Sequence, residues 1–294
     1  MTEQAVPSGG AQCIGGQGER PQVVEVHIRP YASTPAYSLR ELWSYRALLK
    51  SLLWRNIRMQ YDDLGLGFFW AVARPLAMLG VFLFIKQNSK ANVQLEIPYS
   101  LYFFSGIILW FLFAEGARDV SRSIDKEAGI LKRVYFPRLI PPLAASLSGV
   151  YSLFLCCIPL AVMMLFLQVG PGLRILLLPL PVLLCLLLTY GVGTAFAALN
   201  AISRDFEKIF QLCLYLGLFV SPVLYSPAML NDRAQLIVAL NPMAGILLSF
   251  RSCLFADYPF PLWQFLYSAG FALCMVVVGT RMFRKAEEYF VDQL

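Results

Sequence analysis

The sequence predicts an all-α membrane protein with six transmembrane helices, an N-terminal amphipathic interfacial helix, and two short re-entrant helices between spans five and six. Composition is the first indication, because 58% of the 294 residues are hydrophobic and 14% are charged, whereas a soluble domain carries about 25% charged residues. The apolar residues are also gathered in runs of roughly 17–25, the length that a ~30 Å hydrocarbon core requires. Finally, Lys and Arg lie mainly at the ends of these runs, as topology determinants do.

Two segments precede the first span. Residues 1–38 are polar and rich in Gly and Pro, and we expect them to form a tail. Residues 39–60 contain "RELWSYRALLKSLLWRNIRM", in which Leu49 and Leu52 recur at helical spacing while Lys50 marks a more polar side. A basic amphipathic helix of this length lies in the membrane surface rather than crossing it. It serves either as a passive anchor or also as a contact for a cytoplasmic partner.

Six apolar runs are long enough to cross a bilayer, allowing for tilt. They cover about 68–85, 99–117, 142–168, 174–202, 207–225 and 261–283. If the N-terminus is cytoplasmic, eighteen Lys and Arg residues lie on the cytoplasmic side, five lie on the opposite side, and Arg74 lies within a span. This bias predicts that both termini are in the cytoplasm.

The first two spans carry residues that suit a substrate path. Arg74 costs about 2.5–3.5 kcal/mol to place in a bilayer, so it either snorkels toward the headgroups or lines a transport path. The aromatic residues that crowd the second span form either an interfacial belt or a ring-lined path for a glycan, since rings stack on the apolar faces of sugars. Under the path interpretation the lining residues are Trp70, Arg74, Tyr99, Tyr102, Phe103, Phe104 and Trp110.

The longest polar segment between spans is "DVSRSIDKEAGILKRVYFPR", residues 119–138. It mixes acidic and basic residues with one short apolar ridge. It is either a solvated loop or a short cytoplasmic helix that docks into a groove of another protein. The candidate docking residues are Arg122, Asp125, Lys126, Glu127, Ile130, Leu131, Arg133 and Tyr135.

The segment "SPVLYSPAMLNDRAQLIVALNPM", residues 221–243, is apolar but broken by prolines. Span counting places residues 226–255 on the outer side, where 229–240 and 243–255 can each form a short helix. Broken backbone at membrane depth is tolerated only against protein or a cavity. We therefore predict two half-helices that gate the outer mouth of a pathway, with Pro222, Tyr225, Pro227, Asn241 and Pro242 as the gate residues.

Catalysis on this chain is not expected. The sequence contains no GxxxxGK[ST] motif, so no P-loop holds a nucleotide. Its one histidine, His27, lacks partners at metal-ligand spacing, and the carboxylate pairs at 62–63 and 287–288 are sequence neighbours that point apart on a helix. We expect no metal and no cofactor on this chain. The net charge of +6 is explained by topology determinants, so no nucleic-acid partner is expected.

Several stretches together resemble the membrane subunit of ABC-2 type polysaccharide exporters, which move O-antigen, capsular polysaccharide or teichoic acid. They are spread over about 23–285 and read "LRELWSYRALLKSLLWRNIRMQY", "LGFFWAVARP", "RVYFPRLIPPLA", "SRDF", "SPVLYSPAMLN" and "NPMAGILLSFRSCLF". The chain departs from the family pattern at Gln60, at the acidic pair 62–63 and at Arg74.

The resemblance implies a homodimer in the bacterial cytoplasmic (inner) membrane, paired with two copies of a separate ABC ATPase that binds ATP and Mg. It also implies an interfacial helix at 40–58, a transmembrane domain over 61–294, a coupling helix at 119–137 and an outer gate at 226–255. The expected function is ATP-driven export of a lipid-linked polysaccharide. Export of another lipid or of a drug, and a membrane-embedded enzyme acting on lipid-linked sugars, remain as alternatives.

Overall fold

The computed structural model describes residues 43–61, 67–88, 97–131, 136–256 and 258–293. Within these residues the chain forms helices and turns, and no strand. The predicted tail at 1–38 and the first residues of the predicted interfacial helix lie outside them. The helices are α1 (Arg46–Tyr61), α2 (Gly67–Asn88), α3 (Tyr99–Ser121), α4 (Ser123–Leu131), α5 (Ile140–Phe166), α6 (Pro179–Ile202), α7 (Asp205–Val220), α8 (Asp232–Ala239), α9 (Pro242–Leu254) and α10 (Leu262–Gln293), with short 3₁₀ turns at Leu173–Leu177 and Pro227–Met229.

Five helical segments are long and apolar enough to cross a membrane. They are Phe69–Asn88, Tyr99–Ser121, Ile140–Phe166, Leu173–Ile202 and Leu262–Ala286. Each coincides with one of the predicted spans. The apolar runs alone were sufficient to find these five.

The predicted span at 207–225 is shorter than expected. Helix α7 has 16 residues, about 24 Å at 1.5 Å per residue. It ends at Val220 because Ser221 is extended (φ −84°, ψ 146°), the conformation favoured before a proline such as Pro222. A sixth candidate crossing is the pair α8 and α9, which are bent by 91°. The described residues therefore contain five to six candidate spans.

Helix α3 is the centre of the protein. In its most apolar stretch 83% of the residues are buried, against 11% for α2. It packs against α2, α5, α6, α7 and α9. The outer helices instead expose large apolar side chains such as Phe84, Phe154 and Leu216, as helices do when lipid rather than water surrounds them.

Helices α6 and α10 form the most extensive helix pair. They approach so closely at Gly191 and Gly279 that a Cβ atom on Gly279 would collide with the Gly191 carbonyl oxygen. Small residues at such crossings let helix backbones touch, which is how apolar helices associate without a hydrophobic driving force.

Different elements meet at the two ends of α3. At its C-terminal end lie α4, the start of α5 and the last turns of α6 and α10, joined by the cluster around Ile124; α1 packs on the start of α5 through Leu52. At its N-terminal end lie the non-helical residues 221–225, called here the break, and residues 232–254 (α8 and α9), called here the hairpin.

Candidate functional site

Helix α4 occupies the position of the predicted docking segment. Its apolar side chain Ile124 is well buried and packs with Ala197, Ala201 and Phe283 of α6 and α10. The helix is therefore held on the ends of two spans, and a force applied to α4 acts directly on those spans.

Ion pairs fix α4 and its flanks to other helices. Glu127 pairs with Arg55 of α1, and Arg122 pairs with Glu207 of α7. The Glu127 side chain is only 4% exposed while that of Arg55 is 34% exposed, so a carboxylate in α4 is held by a cation in α1. A third pair joins Lys126 Nζ to Asp119 Oδ1 at 2.7 Å.

The remaining predicted docking residues are divided between the surface and the end of α4. Asp125 lies on the exposed side of the helix; partial burial of its carboxyl raises its pKa, and the nearby Arg204 guanidinium opposes that shift. Ile130 and Leu131 belong to the last turn of α4, whereas Arg133 and Tyr135 lie outside the described residues. Among the α4 side chains that the structure describes, Asp125 and Lys126 are exposed.

A polar cleft opens between α1, α2, α3 and α5. It consists of two adjoining cavities of about 160 and 420 Å³ that share Gln60, Arg74, Glu115 and Asp119. Arg74 pairs with Glu115 of α3, and its guanidinium carbon lies 6.0 Å from the ring centroid of Phe111. The Arg74 side chain is 62% exposed, so its charge faces the cleft.

Glu115 was not among the predicted site residues. The signal was present, because it is a lone carboxylate at the end of the apolar run "YSLYFFSGIILWFLFAEGA". An intramembrane carboxylate has a cationic partner as a rule, and Arg74 in the neighbouring span was the available one.

The aromatic residues predicted to line the path differ in how deeply they are buried. Trp70 is exposed and lines the cleft with Arg74. Four others, Tyr102, Phe103, Phe104 and Trp110, are buried in the core of the single chain; Phe103, for example, lies 4.8 Å from Phe82 between ring centroids. Tyr99 is half-buried at the start of α3. None of the four buried rings lines either cavity of the cleft.

Two tyrosines have a clear role at the break. The hydroxyl of Tyr102 donates to the carbonyl oxygens of Tyr225 at 2.8 Å and of Pro222 at 3.3 Å. The hydroxyl of Tyr99 donates to the Leu224 carbonyl at 3.4 Å. Buried carbonyls outside a helix need such donors, because an unpaired buried backbone group costs free energy.

Arg251 of α9 completes this set of donors, and sequence reasoning missed it. Its Nη1 donates to the Pro222 carbonyl at 2.7 Å, and its Nη2 to the Tyr102 carbonyl at 3.0 Å and the Val223 carbonyl at 3.4 Å. Its guanidinium carbon lies 3.6 Å from the Tyr102 ring centroid, and the residue is 0% exposed. The signal was a single cation within "LLSFRSCLF", which charge counting had treated as a topology determinant.

The predicted gate residues all lie in or beside the break and the hairpin. Asn241 caps α9, accepting from Met243 N at 2.9 Å and donating to Ser221 Oγ at 2.9 Å. Pro242 begins α9, and its carbonyl accepts from Ser268 Oγ at 2.7 Å. The Tyr225 hydroxyl donates to the Val220 carbonyl at 2.8 Å, and Pro227 begins a 3₁₀ turn. The fifth gate residue, Pro222, lies in the break, and its carbonyl accepts from Arg251.

The two helices of the hairpin have opposite surroundings. In α9 every residue from 243 to 254 is buried. Helix α8 instead exposes Leu236 and Ile237. The hairpin therefore has one helix set into the protein and one helix on its surface.

Metal chemistry finds no support in the part of the chain that the structure describes, since no group of three or more His, Cys, Asp or Glu side chains there is arranged to hold an ion. The polar features are ion pairs, a cleft and a hydrogen-bonded break. These can bind a polar group and transmit movement.

Comparison with known proteins agrees with this geometry. Residues 47–255 match the family of ABC-2 type transporters. The chain is 30% identical over 245 residues to the O-antigen export system permease protein RfbA of Klebsiella pneumoniae, covering 82% of this chain and 92% of that protein. It is 28% identical over 262 residues to RfbA of Myxococcus xanthus (87% and 98% covered) and 21% identical over 248 residues to the polysialic acid transport protein KpsM of Escherichia coli (83% and 95% covered). The family match spans most of the membrane region and both ends of α3, and this chain therefore belongs to the ABC-2 type transporter family.

Proposed function

We propose that this chain is the channel-forming subunit of an ATP-driven exporter that moves a lipid-linked, O-antigen-like polysaccharide across the bacterial inner membrane. The observation that carries the proposal is the likeness to O-antigen export permeases over 82% of the chain. The sequence has no P-loop, so the energy comes from a partner. The complex is a homodimer of this chain with two ABC ATPase subunits.

Helix α4 is the coupling helix in this proposal. It offers Asp125 and Lys126 to the ATPase, while Ile124 and the pair of Glu127 with Arg55 connect it to α6, α10 and α1. Movement of the ATPase on ATP binding would then shift several helices together. Helix α1, which packs on α5 through Leu52 and exposes Trp54, is the interfacial helix.

The cleft suits the polar head of the substrate. It lies between the interfacial helix and the first two spans, and it combines the exposed Arg74 charge with the exposed Trp70 ring. Arginine binds anionic groups through its planar fork, and indole rings stack on sugars. The buried aromatics of α3 support the fold of each subunit in this proposal, and Trp70 and Arg74 line the path.

The hairpin is the outer gate. Its helix α8 is exposed; Asn231 caps its start, and Asn241, just after its end, donates to Ser221. Helix α9 is instead enclosed by protein. The ATP-bound partner must favour a conformation with a displaced hairpin over the resting one, since a ligand shifts an equilibrium only by its differential affinity for the two states.

Reconstitution tests the function. Proteoliposomes containing this chain and its ABC ATPase should export an O-antigen-type glycan-lipid when ATP is supplied. A partner whose P-loop lysine is replaced by alanine is the control and should abolish export. Transport of a simple lipid or a drug in place of the glycan-lipid would favour the other exporter class, and chemical change of the glycan-lipid without any ATPase would favour an enzyme.

A further inference from the structure

The guanidinium of Arg251 joins three parts of the molecule. It belongs to α9, it bonds the Pro222 and Val223 carbonyls of the break, and it bonds the Tyr102 carbonyl of α3. The break leads to α8 through the 3₁₀ turn at Pro227–Met229, so the same side chain bonds the central helix, belongs to α9 and holds the segment that precedes α8. Within the described residues its partners are backbone carbonyls and the ring of a tyrosine. Together these contacts fix the orientation of the guanidinium.

The space for this guanidinium is built into α3. A Cβ atom on Gly106 would collide with Arg251 Nη2 and would lie 3.3 Å from the Val223 Cα atom. One helical turn earlier, the Tyr102 ring covers the guanidinium face at 3.6 Å. A glycine and an aromatic ring four residues apart lie on the same helix face, so α3 presents a fitted cradle.

The neighbouring contacts show what depends on the cradle. The start of α9 is fixed independently, through Ser268 Oγ to the Pro242 carbonyl. In the break, the Pro222 carbonyl accepts from both Arg251 and Tyr102, whereas the Val223 carbonyl accepts from Arg251. Helix α8, which follows the break, is exposed along Leu236 and Ile237. Loss of Arg251 would therefore leave the Val223 carbonyl without this donor and loosen the break and the segment leading to α8, while leaving the start of α9 in place.

We propose that Arg251, seated in the cradle formed by Tyr102 and Gly106, is the positioning residue that holds the outer gate closed at rest and ties it to α3. The proposal rests on the assignment of the hairpin as the gate. Arg251 acts through the break and does not touch the substrate. Charge-assisted hydrogen bonds to carbonyls are strong and directional, which suits a clamp that must release as a unit when α3 moves.

Leakage without ATP is the direct test. Proteoliposomes of the complex are loaded with a fluorescein-labelled disaccharide, and its release is followed with no nucleotide present. Arg251→Gln should raise the release rate about tenfold. This corresponds to a loss of ~1.4 kcal/mol in the free energy that favours the closed gate over the open one. Arg251→Lys, which retains a donor and the charge, should leak less than Arg251→Gln.

Two further variants separate the clamp from general damage. Gly106→Ala fills the cradle from the α3 side and should leak like Arg251→Gln although Arg251 is intact. Arg233→Gln removes the same charge from the exposed part of α8 and should leave release unchanged. ATP hydrolysis by the assembled complex, which depends on the α4 end, should stay near the parent value in all of them.

Each result decides the proposal. Release at the parent rate in assembled Arg251→Gln complexes would overturn it. Failure of both Arg251→Gln and Arg251→Lys to assemble would also overturn it, because Arg251 would then serve folding alone. The leak assay needs neither ATP nor glycan-lipid. If the parent complex failed to export the glycan, the proposed substrate would be wrong. The role of Arg251 would still be decided by the leak assay.

Discussion

Burial makes the two partners of the Arg55 and Glu127 pair unequal. The carboxylate is 4% exposed and the guanidinium 34% exposed. An ionised group that loses its partner inside a protein costs far more than one that can turn to water. The pair therefore protects Glu127 more than it protects Arg55.

We predict that Arg55→Ala destabilises the protein more than Glu127→Ala does. The first leaves a buried carboxylate unpaired, at a cost of about 3 kcal/mol; the second leaves a partly exposed guanidinium, at a cost of about 1 kcal/mol. Thermal unfolding of the detergent-solubilised chain measures the difference. The double variant should recover part of the loss, and equal costs for the two single variants would contradict the prediction.

At the level of single residues, the sequence located charges correctly but could not give their roles. Arg74 was recognised as unusual because it lies within a span, and it does meet a partner, Glu115. Arg251 was counted as an outer charge because its partners are backbone carbonyls, and carbonyls leave no mark in a residue pattern. Side chains that donate hydrogen bonds to non-helical carbonyls cannot be recognised from the sequence, because the position of those carbonyls is known only from the three-dimensional structure.

Among the elements, helix α3 shows the limit of apolar patterns. Its span was predicted within four residues, yet its central position was not, because lipid-facing and protein-facing surfaces of a membrane helix are both apolar. Tyr102 and Phe103 were therefore interpreted as path residues, although they are 0% exposed in the chain. The boundary at Pro242 was predicted from local sterics, whereas the helix end before Pro222 was missed, because the span was predicted to continue to residue 225 and the helix ends at Val220.

The contact between α6 and α10 gives a prediction for Gly279. A methyl group at this position meets the Gly191 carbonyl, and overpacking of this kind costs about 1–3 kcal/mol. Gly279→Ala should therefore lower the melting temperature in detergent. Gly270→Ala in the same helix is the matched control, because a Cβ atom there meets nothing within 4 Å, and its effect should be neutral or stabilising. A melting temperature unchanged by Gly279→Ala would show that the two backbones can separate at no cost.

A substitution in α4 can distinguish an effect on the stability of the protein from an effect on binding of the ABC ATPase. Lys126 pairs with Asp119 at 2.7 Å, but its side chain is 50% exposed, and exposed pairs contribute about 0–1 kcal/mol. We predict that Lys126→Glu leaves thermal stability nearly unchanged and weakens capture of the ABC ATPase severalfold, measured by pull-down from a defined mixture. Lys208→Glu, which alters another exposed lysine in a pair with Asp205, should retain capture. Equal capture by both variants would remove α4 from the interface.

On the scale of the whole molecule, polar function is divided between the two ends of α3. The C-terminal end collects the ion pairs around α4, and the N-terminal end collects the break, Arg251 and the hairpin. A single buried helix spans the distance between them. Such a helix can carry movement directly from one of these ends to the other.

This arrangement predicts opposite accessibility for the two ends. The excess of Lys and Arg, eighteen against five, predicts that the α4 end faces the cytoplasm, so the exposed residue Asp232 of α8 should face outward. In spheroplasts a membrane-impermeant maleimide should label Asp232→Cys, whereas Lys126→Cys should react only after lysis. The parent chain, with its seven cysteines, sets the background. Labelling of Lys126→Cys in intact spheroplasts, with Asp232→Cys protected until lysis, would invert the topology and place the hairpin in the cytoplasm, where it could not serve as an outer gate.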